Sequence, residues 1–69
     1  MQEMAKAPTY DEVAALAADV LGSAELAIEW MERPAIALNQ RRPIDLLDDN
    51  DGRRAVAILL RRIEYGVYT

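Results

Sequence analysis

The chain has no cysteine and no histidine among its 69 residues. Disulfides are therefore excluded, and so is the ordinary zinc site built from Cys or His ligands. The only serine, Ser23, has no histidine to activate it as a nucleophile. It directly follows Gly22, a position typical of a helix N-cap. The sequence therefore predicts that the chain is not an enzyme.

Four aspartates lie close together in the sequence, at Asp45, Asp48, Asp49 and Asp51. They lack the ligand spacing and the terminal glutamate of a calcium loop. The last three fall where the unpaired amide groups and the positive dipole end of a helix would lie. We therefore interpret them as helix-capping residues, and we predict no metal ion and no cofactor.

The sequence also lacks a run of the about 18 apolar residues that a membrane helix needs. Residues 1–8 are too polar for a signal peptide and show no periodicity, so we expect a disordered lead there. The remainder, residues 9–69, has room for a single small domain. Because a chain of this size buries only about 60% of its unfolded surface, its own core should be marginal. We expect a soluble, cytoplasmic protein stabilised by tight helix packing, self-association or a partner.

Acidic residues outnumber basic ones by 12 to 8, and the net charge is −4. This balance argues against sequence-independent phosphate binding. The positive charge is concentrated in residues 41–69 as three pairs: Arg41-Arg42, Arg53-Arg54 and Arg61-Arg62. Arginine is favoured where bidentate contacts to carboxylates or phosphates are made. Two interpretations stay open: a solvated helix face with local salt bridges such as Asp49 to Arg53, or a contact surface for another molecule.

Apolar residues recur at three- and four-residue spacing, which predicts an all-α fold: a small bundle of three principal helices plus one or two short helical turns. The first helix follows a capping box formed by Thr9 and Glu12 and ends at Gly22. The second follows Ser23 and runs to about Glu32. Each of the two helices presents an apolar stripe that requires burial.

The third and longest helix is predicted to begin at Asp48 and to end at Gly66. Between the second and third helices, Pro34–Leu38 predicts a single turn with proline at its first position, and Pro43 can begin another. Residues 39–41 should form a loop. The predicted buried face of the third helix consists of Val56, Leu59, Leu60, Ile63 and Val67.

The aromatic residues leave alternatives open. Trp30 fits either a packed core position or a partly exposed anchor at an interface. Tyr65 and Tyr68 flank the glycine that ends the third helix and lie close to Arg61 and Arg62. Arginine and tyrosine dominate interface hot spots. Tyr65 either belongs to such a contact cluster or packs on the first helix.

The segment from Arg42 to Val67 reads R-P-I-D-L-L, then acids and Gly52, then V-x-x-L-L-x-R-I-x-Y-G-V. Upstream, residues 21–34 read L-G-S-A-E-L-A-I-E-W-M-E-R-P. This ordered series resembles the C-terminal toxin-binding domain of Xre/MbcA/ParS-type antitoxins, over residues 21–68. Asn39-Gln40 departs from the pattern, since members of that family tend to carry glycines there.

The resemblance implies an antitoxin of a bacterial toxin–antitoxin system whose partner is a RES-domain toxin, an enzyme that consumes NAD or uses it for ADP-ribosylation. It also implies that the C-terminal region lies toward the mouth of the toxin's active site. Together with the clustering of basic and aromatic residues, it suggests that the chain blocks the active-site entrance. The predicted toxin-contact residues are Arg53, Arg54, Arg61, Arg62, Tyr65 and Tyr68.

Two other functions remain open. A small homodimeric adaptor could associate through Leu59 and Ile63. A DNA-binding regulator module could use residues 24–32 as a recognition helix, but three glutamates there would repel the nucleic acid. Longer members of the family carry a separate DNA-binding domain before this one. We predict a protein partner, with a homodimer as a possibility, and neither nucleic acid nor membrane binding by this chain alone.

Overall fold

The computed structural model describes residues 7–66 and contains three α-helices and two short 3₁₀ turns. They follow the order α1 (Tyr10–Leu21), α2 (Ala24–Met31), a first 3₁₀ turn (Ile36–Leu38), a second 3₁₀ turn (Pro43–Leu46) and α3 (Asn50–Tyr65). The described residues form no strand, and a single antiparallel bridge joins Ala35 to Arg41. The predicted all-α fold is confirmed.

The first two helices begin and end where local side-chain chemistry places them. The Thr9 hydroxyl accepts a hydrogen bond from the Glu12 amide at 3.1 Å, and the Glu12 carboxylate accepts one from the Thr9 amide at 2.8 Å. Gly22 ends α1 in the left-handed conformation, with φ of 106°. The Ser23 hydroxyl accepts from the Leu26 amide at 3.1 Å and so caps α2. Ser23 is therefore engaged as an N-cap.

Helix α3 begins one residue later than the sequence predicts, because Asp49 and not the preceding aspartate is its N-cap. The Asp49 carboxylate accepts from the Gly52 amide at 2.7 Å. This first turn lies against the second 3₁₀ turn so closely that a β-carbon at Gly52 would lie 1.8 Å from the Leu46 carbonyl oxygen. Glycine is thus required for the close approach of the two backbones.

The first turn between α2 and α3 differs from the expected proline-initiated turn, whereas the second begins at Pro43 as predicted. The first 3₁₀ turn begins at Ile36, not Pro34, because Ala35 is extended and its amide donates to the Arg41 carbonyl. Asn39 and Gln40 then adopt φ values of 61° and 68°. Left-handed backbone favours glycine, so Gln40 adopts a conformation that costs free energy for a residue with a side chain.

The core lies where α1 packs against both α2 and α3. Trp30 is half-buried and packs against this core from α2. None of the helices in the described part of the chain is long and apolar enough to cross a membrane. The buried side chains that form this core are Val13, Ala17, Ala27, Met31, Leu47, Val56 and Leu60.

Candidate protein-binding surface

The solvent-facing side of α3 collects three of the predicted contact arginines. Counted from Arg54, the positions i, i+4, i+7, i+8 and i+11 lie on one face of an α-helix. We call the face formed by Arg54, Ile58, Arg61, Arg62 and Tyr65 the outer face of α3. Its two apolar members are well exposed, Tyr65 at 72% and Ile58 at 51%. Tyr65 therefore has most of its surface open to solvent and is not a core residue.

Arg53 lies away from the outer face and is half-buried. Its Nε donates to the Pro8 carbonyl oxygen at 2.8 Å and its Nη1 to the Leu47 carbonyl oxygen at 2.7 Å, while Nη2 donates to the Asn50 side chain. The ion pair expected between Asp49 and Arg53 is not formed within residues 7–66. Asp49 caps the helix, and Arg53 binds backbone carbonyls instead.

The predicted contact residues thus separate into groups. Arg54, Arg61, Arg62 and Tyr65 share the outer face of α3, Arg53 does not, and Tyr68 lies outside the described residues. Arg53 donates hydrogen bonds to carbonyl oxygens at the start of α1 and before α3. Helix periodicity alone does not predict these contacts.

Two arginines of the outer face pair with acidic neighbours on their own helix. Arg54 pairs with Asp51 at 3.2 Å, and Arg61 pairs with Glu64 at 3.1 Å. Exposed pairs of this kind contribute about 0–1 kcal/mol. A partner that offers carboxylates can therefore recruit the guanidinium group of Arg61 at a small cost in free energy.

An apolar groove of 200 Å³ borders the outer face, between α3 and the first 3₁₀ turn. Ile58 and Arg62 belong to both the groove and the outer face. Ile36, on the same 3₁₀ turn, is 83% exposed. The predicted contact residues did not include Ile36 and Ile58, although Ile58 lies off the predicted buried face of the third helix and a helical wheel shows this. The remaining lining residues are Ala37, Leu38, Ala55 and Leu59.

The aspartates between the second 3₁₀ turn and α3 serve the local fold. Arg42 donates two hydrogen bonds of 2.9 Å to the Asp45 carboxylate, which lowers the pKa of Asp45 and raises that of Arg42. Asp49 caps α3, and Asp51 pairs with Arg54. Within residues 7–66, no group of three or more His, Cys, Asp or Glu side chains could hold a metal ion.

Exposed apolar side chains bordered by arginines have the composition of a surface that contacts another protein. A family model described as the antitoxin Xre/MbcA/ParS C-terminal toxin-binding domain matches residues 16–66, which is most of the chain. The chain belongs to this family. Its partner is accordingly a protein toxin, and membership implies a non-catalytic regulator. Comparisons with curated proteins and with solved structures gave no match.

Proposed function

We propose that this chain neutralises a RES-type toxin, which consumes NAD or uses it for ADP-ribosylation, by covering the entrance to the toxin's active site. The contact zone is the outer face of α3, together with the C-terminal tail that carries Tyr68. The observation that supports this proposal is the union of exposed arginines with Ile58 and Tyr65 on a single helix face. The expected setting is the bacterial cytoplasm.

The energetic division within this surface follows the usual pattern of protein interfaces. A few aromatic and arginine side chains contribute most of the binding free energy, and the surrounding contacts exclude water. Tyr65 and Ile58 would fill apolar pockets of the toxin, and Ile36 would extend the contact across the groove. Arg61 and Arg62 would pair with acidic groups of the toxin, and a partner that desolvates them would strengthen these pairs. Arg53 would act as a positioning residue that holds α3 in place.

Charge reversal tests the proposal. The double variant Arg61→Glu, Arg62→Glu should fail to inhibit NAD consumption by a RES-type toxin encoded in the neighbouring reading frame, while its helical circular dichroism is retained. The matched control Arg33→Glu reverses one exposed charge beyond the end of α2 and should inhibit like the unaltered chain. Full inhibition by the double variant would contradict the proposal that Arg61 and Arg62 contact the toxin. The lack of a neighbouring RES-type gene would weigh against that class of toxin.

Removing residues 67–69 tests the tail separately. We expect this deletion to weaken inhibition while the helical circular dichroism is retained. A truncated chain that inhibits as strongly as the full chain would limit the contact zone to α3.

A homodimeric adaptor is the second candidate, and the groove beside α3 favours it. Leu59 lines this groove and is half-buried. Ile63, one turn further along the helix, is also half-buried. Two copies could bury these side chains against each other. Sedimentation at micromolar concentration separates the possibilities, because a species of 7.7 kDa alone would exclude the dimer.

A further inference from the structure

A second apolar groove lies between α1, α2 and the second 3₁₀ turn. It has a volume of 240 Å³, and no residue of α3 lines it. Its α1 wall contains Tyr10, Ala14 and Ala18, and its α2 wall contains Ala24 and Ile28. Tyr10 is 51% exposed and Ile28 is 57% exposed, so two large apolar side chains stand open to solvent at its edges. This groove is separate from the outer face of α3.

Acidic side chains flank this groove along both helices. On α2, Glu25 and Glu32 stand three residues before and four residues after Ile28, on the same side of the helix, and both are exposed. On α1, the exposed Asp11 stands three residues before Ala14. The groove is lined by apolar side chains and one tyrosine, without a basic residue.

The second 3₁₀ turn does not cancel this acidic rim. Arg42 contributes a positive charge near Glu32, and the two side chains interact electrostatically. The guanidinium of Arg42 is, however, held by both oxygens of Asp45 at 2.9 Å. The pair is neutral as a whole, so the groove retains a negative border.

We infer that this groove binds the apolar face of a cationic amphipathic helix supplied by another protein. The volume lies below the about 300–1,000 Å³ of small-molecule sites, which favours a few inserted side chains over a free ligand. Helix-in-groove recognition places apolar anchors at i, i+3 or i+4 and i+7 of the bound helix. Lysines or arginines beside those anchors would meet Asp11, Glu25 and Glu32.

A second copy of this chain docking groove to groove fits less well. In such a symmetric contact, the rim of the groove on one copy lies against the same rim on the other copy. The rim carboxylates Asp11, Glu25 and Glu32 would then face one another, and like charges across an interface are unfavourable. The same carboxylates would also repel an anionic membrane surface.

The experiment uses two synthetic amphipathic peptides and the full chain. One peptide presents leucines at i, i+3, i+4 and i+7 flanked by lysines, and the second replaces the lysines with glutamates. We expect the lysine peptide to bind with micromolar affinity that falls with rising salt, and the glutamate peptide to bind at least about tenfold more weakly.

Variants of the chain locate the binding site. Ile28→Asp, and separately the pair Glu25→Lys with Glu32→Lys, should weaken binding of the lysine peptide about tenfold or more. The matched control Glu29→Lys changes an exposed glutamate of α2 that lies toward the opposite side of the helix, and it should alter the affinity by less than about twofold. Ile58→Asp should leave peptide binding unchanged, since Ile58 belongs to the surface proposed for the toxin.

Four outcomes would overturn the inference. One is equal binding of both peptides, and another is no binding at all. The third is a loss of binding free energy per reversed charge that is the same in the Glu25, Glu32 pair and in Glu29→Lys, because it would indicate only attraction to the net negative charge. If the chain self-associates and Ile28→Asp makes it monomeric, the occupant is a second copy and the inferred partner is wrong.

Discussion

Arg53 joins the start of α1 to the start of α3, because its Nε donates a hydrogen bond of 2.8 Å to the carbonyl oxygen of Pro8 across 45 positions of sequence. The same guanidinium donates to the Leu47 carbonyl oxygen at 2.7 Å. One half-buried side chain thus connects the first helix, the end of the second 3₁₀ turn and the final helix. Without Arg53, the Pro8 and Leu47 carbonyl groups would lose their charged hydrogen-bond donor.

We expect Arg53→Ala to lower the free energy of unfolding by about 1–3 kcal/mol, because it removes hydrogen bonds to a charged donor at a half-buried site. Arg61→Ala is the matched control, since it removes an arginine of the same helix whose pair with Glu64 is exposed and contributes about 0–1 kcal/mol. Urea unfolding followed by circular dichroism measures both. Equal losses of unfolding free energy in the two variants would show that the hydrogen bonds to the carbonyl groups contribute no more than an exposed ion pair.

Gly52→Ala should also destabilise the fold, although alanine in a helix ordinarily gains about 0.5–1 kcal/mol over glycine. The new β-carbon would lie 1.8 Å from the Leu46 carbonyl oxygen and must displace the second 3₁₀ turn, which we expect to cost about 1–3 kcal/mol. Ala15→Gly, at an exposed position within α1, measures the ordinary difference between the two residues in this protein. A more stable Gly52→Ala variant would contradict the close approach of the two backbones.

Gln40→Gly should raise the free energy of unfolding by up to about 1 kcal/mol. Gln40 has φ of 68°, and the left-handed conformation costs a residue with a side chain about 1–2 kcal/mol. Part of that gain is lost because glycine gives the unfolded chain more freedom. Asn39→Gly should raise the free energy of unfolding by less, since asparagine tolerates the left-handed conformation. Differential scanning calorimetry should rank the melting temperatures in that order, and a lower value for Gln40→Gly would refute it.

The Arg42–Asp45 pair predicts a measurable pH effect. Hydrogen bonds from Arg42 lower the pKa of Asp45 in the folded state. The pair's contribution to stability is therefore fully present above the unfolded-state pKa of about 3.9, and it is lost as pH falls through the lower folded-state pKa. NMR titration of the Asp45 carboxylate carbon should show a higher pKa in Arg42→Gln than in the unaltered chain. Identical titrations would show that the two side chains are not paired in solution.

The helix termini could be predicted because each depends on a few adjacent residues. Thr9 with Glu12, Ser23 and Gly66 supply local caps, and the structure uses all of them as expected. The start of α3 was off by one residue because neighbouring aspartates offer nearly equivalent caps. Sequence alone does not tell which of the two carboxylates reaches the Gly52 amide.

Long-range contacts explain what the sequence could not predict. The spacing of Asp49 and Arg53 suits an ion pair, but the fold brings the Pro8 and Leu47 carbonyl oxygens to Arg53 instead. Likewise, isoleucine is typical of a core, and the exposure of Ile58 depends on which face of α3 packs against α1. Tertiary packing, not local propensity, decides both.

The most direct test of the toxin-binding account is methyl cross-saturation in the complex, with isoleucine methyl groups labelled in this chain and the RES-type toxin protonated. Ile36 and Ile58 mark the region around the outer face of α3, and Ile28 marks the groove between α1 and α2. The account predicts that saturation of the toxin attenuates the Ile36 and Ile58 methyl signals and leaves Ile28 unaffected. Attenuation of Ile28 with an unaffected Ile58 would contradict it.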